Sequence, residues 1–416
     1  MAAIALIKRV ANLYMLKKLL KRGVKMGRDM PTYISLTGEK SHKISVPVGQ
    51  GSFSIGTTGL SEGKYDVWVD DDKSINWSAF NGLYTGHGSA NAEQHPCGDW
   101  PRWFYYSGSD KGFLEWSCKR HIEHFNLFTY EDASIDLTKA NIYGFSLHVY
   151  KGKVNISIGS KTKVLSLSGN IEDIDIKKCD TFPYLRFKPR GRLDENGQYQ
   201  LPLYKLLENA PIVDIDIPPI GIPFDCKSLL QFANLKNLSL SGNLTNVDVL
   251  AELKHLEAIA LRYVPDLTNV PNLSAWVNLK SFIGWNIEET AGKVLKKELN
   301  ELAKTKELEH SSVSQLRKKI WFTTEYGIPF SAWEGKSEKI ATKAYKTCLK
   351  EIKKAKTENE VHKAIIDFVK VINSLPNIET TEREDAGTAV LQLIESSVLE
   401  ISEETGIKWF DEVRDF

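Results

Sequence analysis

The sequence predicts an α+β chain: an aromatic-rich β domain first, a β solenoid of stacked leucine-bearing turns second, and a helical bundle last. Three observations predict it. Leu235, Leu238 and Leu240 followed by Asn243 give L-x-x-L-x-L-x-x-N, and Leu256, Ile259 and Leu261 repeat the apolar part 21 residues later, within the period of stacked strand repeats. Short, glycine-punctuated strands with many aromatics precede this stretch. Helical periodicity with capping boxes follows it.

A chain of 416 residues is too long for one compact core, so two or three domains are expected. Hydrophobic residues at 42% and charged residues at 26% place it among ordinary globular proteins. The 54 basic and 53 acidic residues nearly cancel, so composition offers no electrostatic case for nucleic acid as a partner. Cys97, Cys118, Cys179, Cys226 and Cys348 are widely spaced and odd in number, which points to a reducing compartment rather than a disulfide framework. No apolar run approaches the ~18 residues of a membrane-spanning helix, and the cytoplasm is the expected address.

Taken in order, residues 1–30 form a basic amphipathic segment in which Ile4, Ile7, Val10, Leu13, Leu16 and Leu20 make one stripe beside lysines and arginines. Membrane contact through residues 1–25 is one expectation; the plainer one is a surface helix, or an extension upstream of a start at Met30. Residues 31–131 read as the aromatic-rich β domain. Lys43 to Val48, Gly51 to Ile55 and Lys64 to Val69 alternate apolar and polar residues between glycine turns, the pattern of antiparallel strands. Half of the ten tryptophans lie here, as expected of a compact core filled by large rings.

Residues 132–286 read as the solenoid. Strands recur about every ten residues between Ser134 and Phe187, and Leu-Ser-Leu-Ser-Gly-Asn occurs at 165–170 and again at 238–243. The L-x-L alternation buries one strand face, and a single turn cannot cover its own apolar side, so turns must stack. Residues 287–319 are read as a capping helix over the last edge. Residues 320–416 form the helical bundle, with capping boxes at Thr357-x-x-Glu360 and Thr381-x-x-Glu384.

Two sets of residues could carry function. Cys and His gather at His87, His95, Cys97, Cys118, His121 and His124; His95, Cys97, Cys118 and His121 are the candidate metal ligands, with zinc as the possible cofactor. A zinc-stabilised module or a metal-dependent hydrolase is therefore the alternative function, and packed core or surface histidines are the plainer reading of the same residues. The second set projects between the buried leucines: Asn237 and Ser239, then Arg262, then Trp285. Trp and Arg concentrate binding energy at protein interfaces, so these four are the candidate protein-binding residues.

Leu235 to Asn243 and its successor turns resemble bacterial leucine-rich-repeat proteins, which makes the predicted solenoid leucine-rich-repeat-like. The stretch from Ile34 through Gly86-His-Gly-Ser to Trp103-Phe-Tyr-Tyr resembles bacterial proteins loosely labelled gliding-motility proteins, a label that implies no defined chemistry. The resulting expectation is a non-enzymatic scaffold or interaction protein that uses the solenoid face to bind a protein partner, with no catalytic residues.

Overall fold

The computed structural model describes residues 32–37, 43–46, 51–58, 65–69, 74–82, 102–333, 335–376, 378–397, 399 and 401–415. They divide into two compact units, 32–322 and 323–415. The basic segment at 1–30 lies outside the described residues.

The first unit is built on strands β1 (Thr32–Ser35), β2 (Lys43–Val46), β3 (Ser52–Gly56), β4 (Val67–Trp68), β5 (Trp103–Ser107), β6 (Ile122–Thr129), β7 (Ala133–Asp136), β8 (Ile142–Val149), β9 (Val154–Ile158) and β10 (Val164–Gly169). It continues with β11 (Ile174–Cys179), β12 (Tyr184–Pro189), β13 (Ile212–Asp216), β14 (Phe224–Asp225), β15 (Asn237–Ser241), β16 (Leu244–Thr245), β17 (Ala258–Arg262), β18 (Ser281–Trp285) and β19 (Ser312–Ser314). Twelve of these form one parallel sheet in the order β4-β3-β5-β6-β8-β10-β12-β13-β15-β17-β18-β19. β7, β9 and β11 form a second, three-stranded parallel sheet.

This corrects the predicted class. The arrangement is of α/β type, a large parallel sheet flanked by helical segments, and the described residues form neither a separate antiparallel β domain nor a closed solenoid. β3, β5 and β6 pair in parallel and join β8 without a break. The physical reason is that glycine turns punctuate strands whether the chain reverses or crosses over, so period-2 patterning cannot separate a hairpin from a parallel pair. Among the described residues, antiparallel pairing is confined to β1 and β2.

The ten-residue rhythm has a simple origin. The chain alternates between the two sheets, so β6, β8, β10 and β12 repeat at 20 residues, as the partners Asn126↔Ser146, Ser146↔Ser166 and Ser166↔Arg186 record. Alternate residues of each strand point into a continuous core, where Phe125, Phe145, Leu165 and Leu185 are fully buried at the same period. At the N-terminal end the tryptophan-rich region fills that core. Trp77 packs against Phe104, Tyr106, Phe113, Trp116 and Phe125 and donates its indole N–H to Asp110 Oδ1 at 2.7 Å.

The two copies of Leu-Ser-Leu-Ser-Gly-Asn adopt one structure. Leu165 and Leu167 in β10, like Leu238 and Leu240 in β15, are buried. Gly169 (φ +82°) and Gly242 (φ +108°) take left-handed backbone, and a Cβ on either would collide with a carbonyl oxygen of the preceding strand, Val149 or Ile217. Asn170 and Asn243 then donate to the carbonyls of Tyr150 (3.2 Å) and Gly221 (2.7 Å). The hexapeptide thus encodes a strand, the bend that ends it, and a tie to the turn before.

Helices are α1 (Gly112–Cys118), α2 (Glu289–Leu302), α3 (Lys319–Thr324), α4 (Gly335–Ile352), α5 (Glu358–Asn373), α6 (Thr380–Glu395) and α7 (Glu403–Val413). Helix α2 is capped by the Glu288 carboxylate, which accepts from the N–H groups of Thr290 and Ala291. After α2 the chain returns to the sheet and adds β19 beside β18. The second unit contains α4 to α7 around its own core of Phe330, Trp333, Tyr345, Phe368, Trp409 and Phe410. Thr357 caps α5 as its sequence signature predicts, whereas α6 starts on Glu379, whose N–H donates to Glu382 at 3.2 Å, two residues before the signature at Thr381. No helix among the described residues is long and apolar enough to cross a membrane.

Candidate functional site on the outer face of the sheet

The residues that alternate with the buried ones form the outer face of the twelve-stranded sheet. Parallel register brings equivalent positions side by side at about 4.8 Å per strand, so sequence periodicity becomes a row of neighbouring side chains. One row runs Asn126, Ser146, Ser166, Arg186, Asp214, Ser239. A second begins Phe128, His148, Ser168, Lys188.

Between β5 and β10 this face carries stacked rings tied to hydroxyls. Trp103 stacks on His124 at 4.7 Å between ring centroids and 14° between planes. His124 Nε2 lies 2.7 Å from Ser146 Oγ, and its ring occupies the space that a side chain on Gly144 would need. One row over, Phe128 stacks on His148 at 4.3 Å and 10°, and His148 Nδ1 lies 2.5 Å from Ser168 Oγ. Beyond the strand ends Tyr130 stacks on Tyr150 at 4.8 Å and 5°. Burial lowers the pKa of His124 to about 4, aided by the charge of Arg186 and opposed by Glu123. Burial likewise lowers His148 to about 4, aided by Lys188, His124 and Arg190. Both imidazoles are neutral at pH 7.

On β12 and β13 the face becomes ionic and self-compensated. Arg186 Nε donates to Asp214 Oδ2 at 3.0 Å, and the Tyr184 hydroxyl donates to the same oxygen at 2.9 Å. Lys188 pairs with Asp216. Between the His124–Ser146 pair and this cluster sits Ser166, 6% exposed, whose hydroxyl makes no hydrogen bond among the described residues.

The sequence-predicted protein-binding residues all lie on this face, farther along. Asn237 and Ser239 are on β15, while Arg262 and Trp285 are register partners on β17 and β18. Arg262 is exposed, and its side chain makes no hydrogen bond or ion pair among the described residues. Trp285 is braced edge-on by Tyr263, with centroids 5.0 Å apart at 80°. Of the predicted metal ligands, His95 and Cys97 lie outside the described residues. Cys118 ends α1 with its thiol donating to the Leu114 carbonyl at 3.2 Å, and His121 Nδ1 is 3.4 Å from Asn141 Oδ1. Among the described residues no three His, Cys, Asp or Glu side chains gather as a metal site would require.

His148, Ser166, Arg186 and Asp214 escape sequence reasoning, because each is unremarkable alone. For Ser166 and Arg186 the signal is the 20-residue spacing itself: counted from the buried Phe125, Phe145, Leu165 and Leu185, the next residue in each strand is an outward one, while His148 lies on the parallel series with Phe128, Ser168 and Lys188, and Asp214 falls outside the period.

No family model matches the chain, and no curated protein or solved structure matches it.

Proposed function

We propose that the chain is a non-enzymatic interaction protein that binds a protein partner through the outer face of its large sheet, with Asn237, Ser239, Arg262 and Trp285 as contact residues. The observation that carries this reading is Arg262, an exposed guanidinium with no partner among the described residues, lying beside the half-buried indole of Trp285. Arg and Trp, here side by side with one uncommitted and one braced, are residue types in which interface hot spots are enriched. The small residues around them, Ser239, Ser241 and Ala260, leave room for a partner's side chains to reach the sheet.

The test is capture from a cell lysate by immobilised wild-type chain and by Arg262→Glu and Trp285→Ala variants. Both variants are expected to stay folded, Arg262→Glu melting within a few degrees of wild type and Trp285→Ala lower, because it removes a half-buried ring packed on Tyr263. Each is expected to lose a common captured protein by roughly tenfold or more. Equal capture by all three forms removes this part of the face from consideration.

A further inference from the structure

We propose that the outer face between β5 and β13 is a binding site for a neutral oligosaccharide, centred on the Ser166 hydroxyl.

Four features of the face define the ligand. The first is the Ser166 hydroxyl, which makes no hydrogen bond among the described residues and stays reachable from the outer face; an incoming hydroxyl can both donate to it and accept from it. The second is what flanks it. On one side stands the His124–Ser146 pair at 2.7 Å, on the other the Tyr184–Asp214–Arg186 cluster with bonds of 2.9 and 3.0 Å. Each flank presents donors and acceptors together. Vicinal sugar hydroxyls, each a donor and an acceptor, match that alternation, whereas a peptide backbone needs an open strand edge.

The third feature is charge. Both cations beside Ser166 are already neutralised, Arg186 by Asp214 and Lys188 by Asp216, and an anion would have to displace those carboxylates. Burial keeps His124 and His148 uncharged as well. The exposed Arg190 at the rim would favour an anion, so anionic and neutral sugars must be compared directly.

The fourth feature is the aromatic surface at the two ends. Tyr150 has one ring face covered by Tyr130 yet is 47% exposed, and Trp103, stacked on His124, is 37% exposed. Sugar rings pack their apolar C–H faces on such surfaces while their hydroxyls stay hydrogen-bonded. Tyr150 lies just past the end of β8, and Asn170, just past the bend that ends β10, donates to its carbonyl, which keeps Tyr150 on the rim nearest the end of the Ser166 strand.

The experiment is isothermal titration of the full chain with four neutral hexasaccharides (of the malto, cello, manno and xylo series) and with hexagalacturonate. At least one neutral sugar is expected to bind with Kd about 0.1–1 mM. Ser166→Val, which replaces the hydroxyl at nearly constant volume, and Tyr150→Ala, at an exposed ring, are each expected to weaken it roughly tenfold. Trp285→Ala is expected to leave it unchanged, so the outcome is independent of the protein-capture reading. The proposal is overturned if no neutral sugar binds at about 10 mM, if hexagalacturonate binds more tightly than every neutral sugar, or if folded Ser166→Val and Tyr150→Ala both bind as wild type does.

Discussion

Strands β10 and β15 share six consecutive residues, and their buried leucines, left-handed glycines and tying asparagines superpose in role. Their outer faces nonetheless live in different company. The serines of β10 sit between imidazoles and an ionic cluster, so that Ser168 is 7% exposed and bonded to His148. Ser241 in β15 sits between Asp216 and Arg262, half-buried and without a side-chain bond among the described residues. Inward residues and the bend decide that the strand exists. Its neighbours across the register decide what the strand can do.

That comparison can be broken or sharpened by substitution. The largest expected effect is at the bend. Gly169→Ala and Gly242→Ala each force a side chain into left-handed backbone and against a carbonyl that belongs to the sheet, and each is expected to cost about 3 kcal/mol in denaturant unfolding. Gly221→Ala, with φ +100° but open space around it, serves as the reference and should cost about 1 kcal/mol. If Gly169 and Gly242 differ by more than that reference, the two copies are not equivalent.

The next effect separates the two outer faces by pH. His124 and His148 titrate near 4 in the folded chain and near 6.5 when unfolded. Between these values the unfolded state binds more protons, so stability is fully present above about 6.5 and falls as pH drops toward 4. The slope is at most about 1.4 kcal/mol per pH unit for each histidine. Chemical denaturation across that window is expected to show a shallower dependence in the His124→Gln, His148→Gln double variant. An identical slope would mean that the imidazoles are not held neutral by the face.

The smallest effect is at the serines themselves. Ser168→Ala strips His148 of its partner and should cost about 1 kcal/mol. Ser241→Ala should stay within about 0.5 kcal/mol. Equal costs would erase the difference between the two neighbourhoods.

Much of this molecule is legible in its sequence, and the illegible part has a definite cause. The L-x-L strands, the aromatic packing around Trp77 and the capping of α5 follow from local pattern, because burial and capping depend on residues close in sequence. The parallel course of β3, β5 and β6 does not, since the glycines that end a strand are the same for a hairpin and a crossover. Arg262 and Trp285 can be singled out because both are conspicuous residue types on strands with strong L-x-L signals. Ser166 and His148 become conspicuous only once register sets them beside Arg186 and Ser168, and register is a long-range property that no local window contains.

The constant 20-residue step from β6 to β12 also makes the chain a ruler. Excising residues 146–165 would join Phe145 directly to Ser166, which would take the outward place of its register partner Ser146 one strand away. The sheet would close up by about 4.8 Å with every remaining inward residue still inward. Inserting a period would widen it by the same amount. The breadth of the outer face, and with it the length of whatever lies across it, is therefore adjustable in whole steps without redesigning the interior.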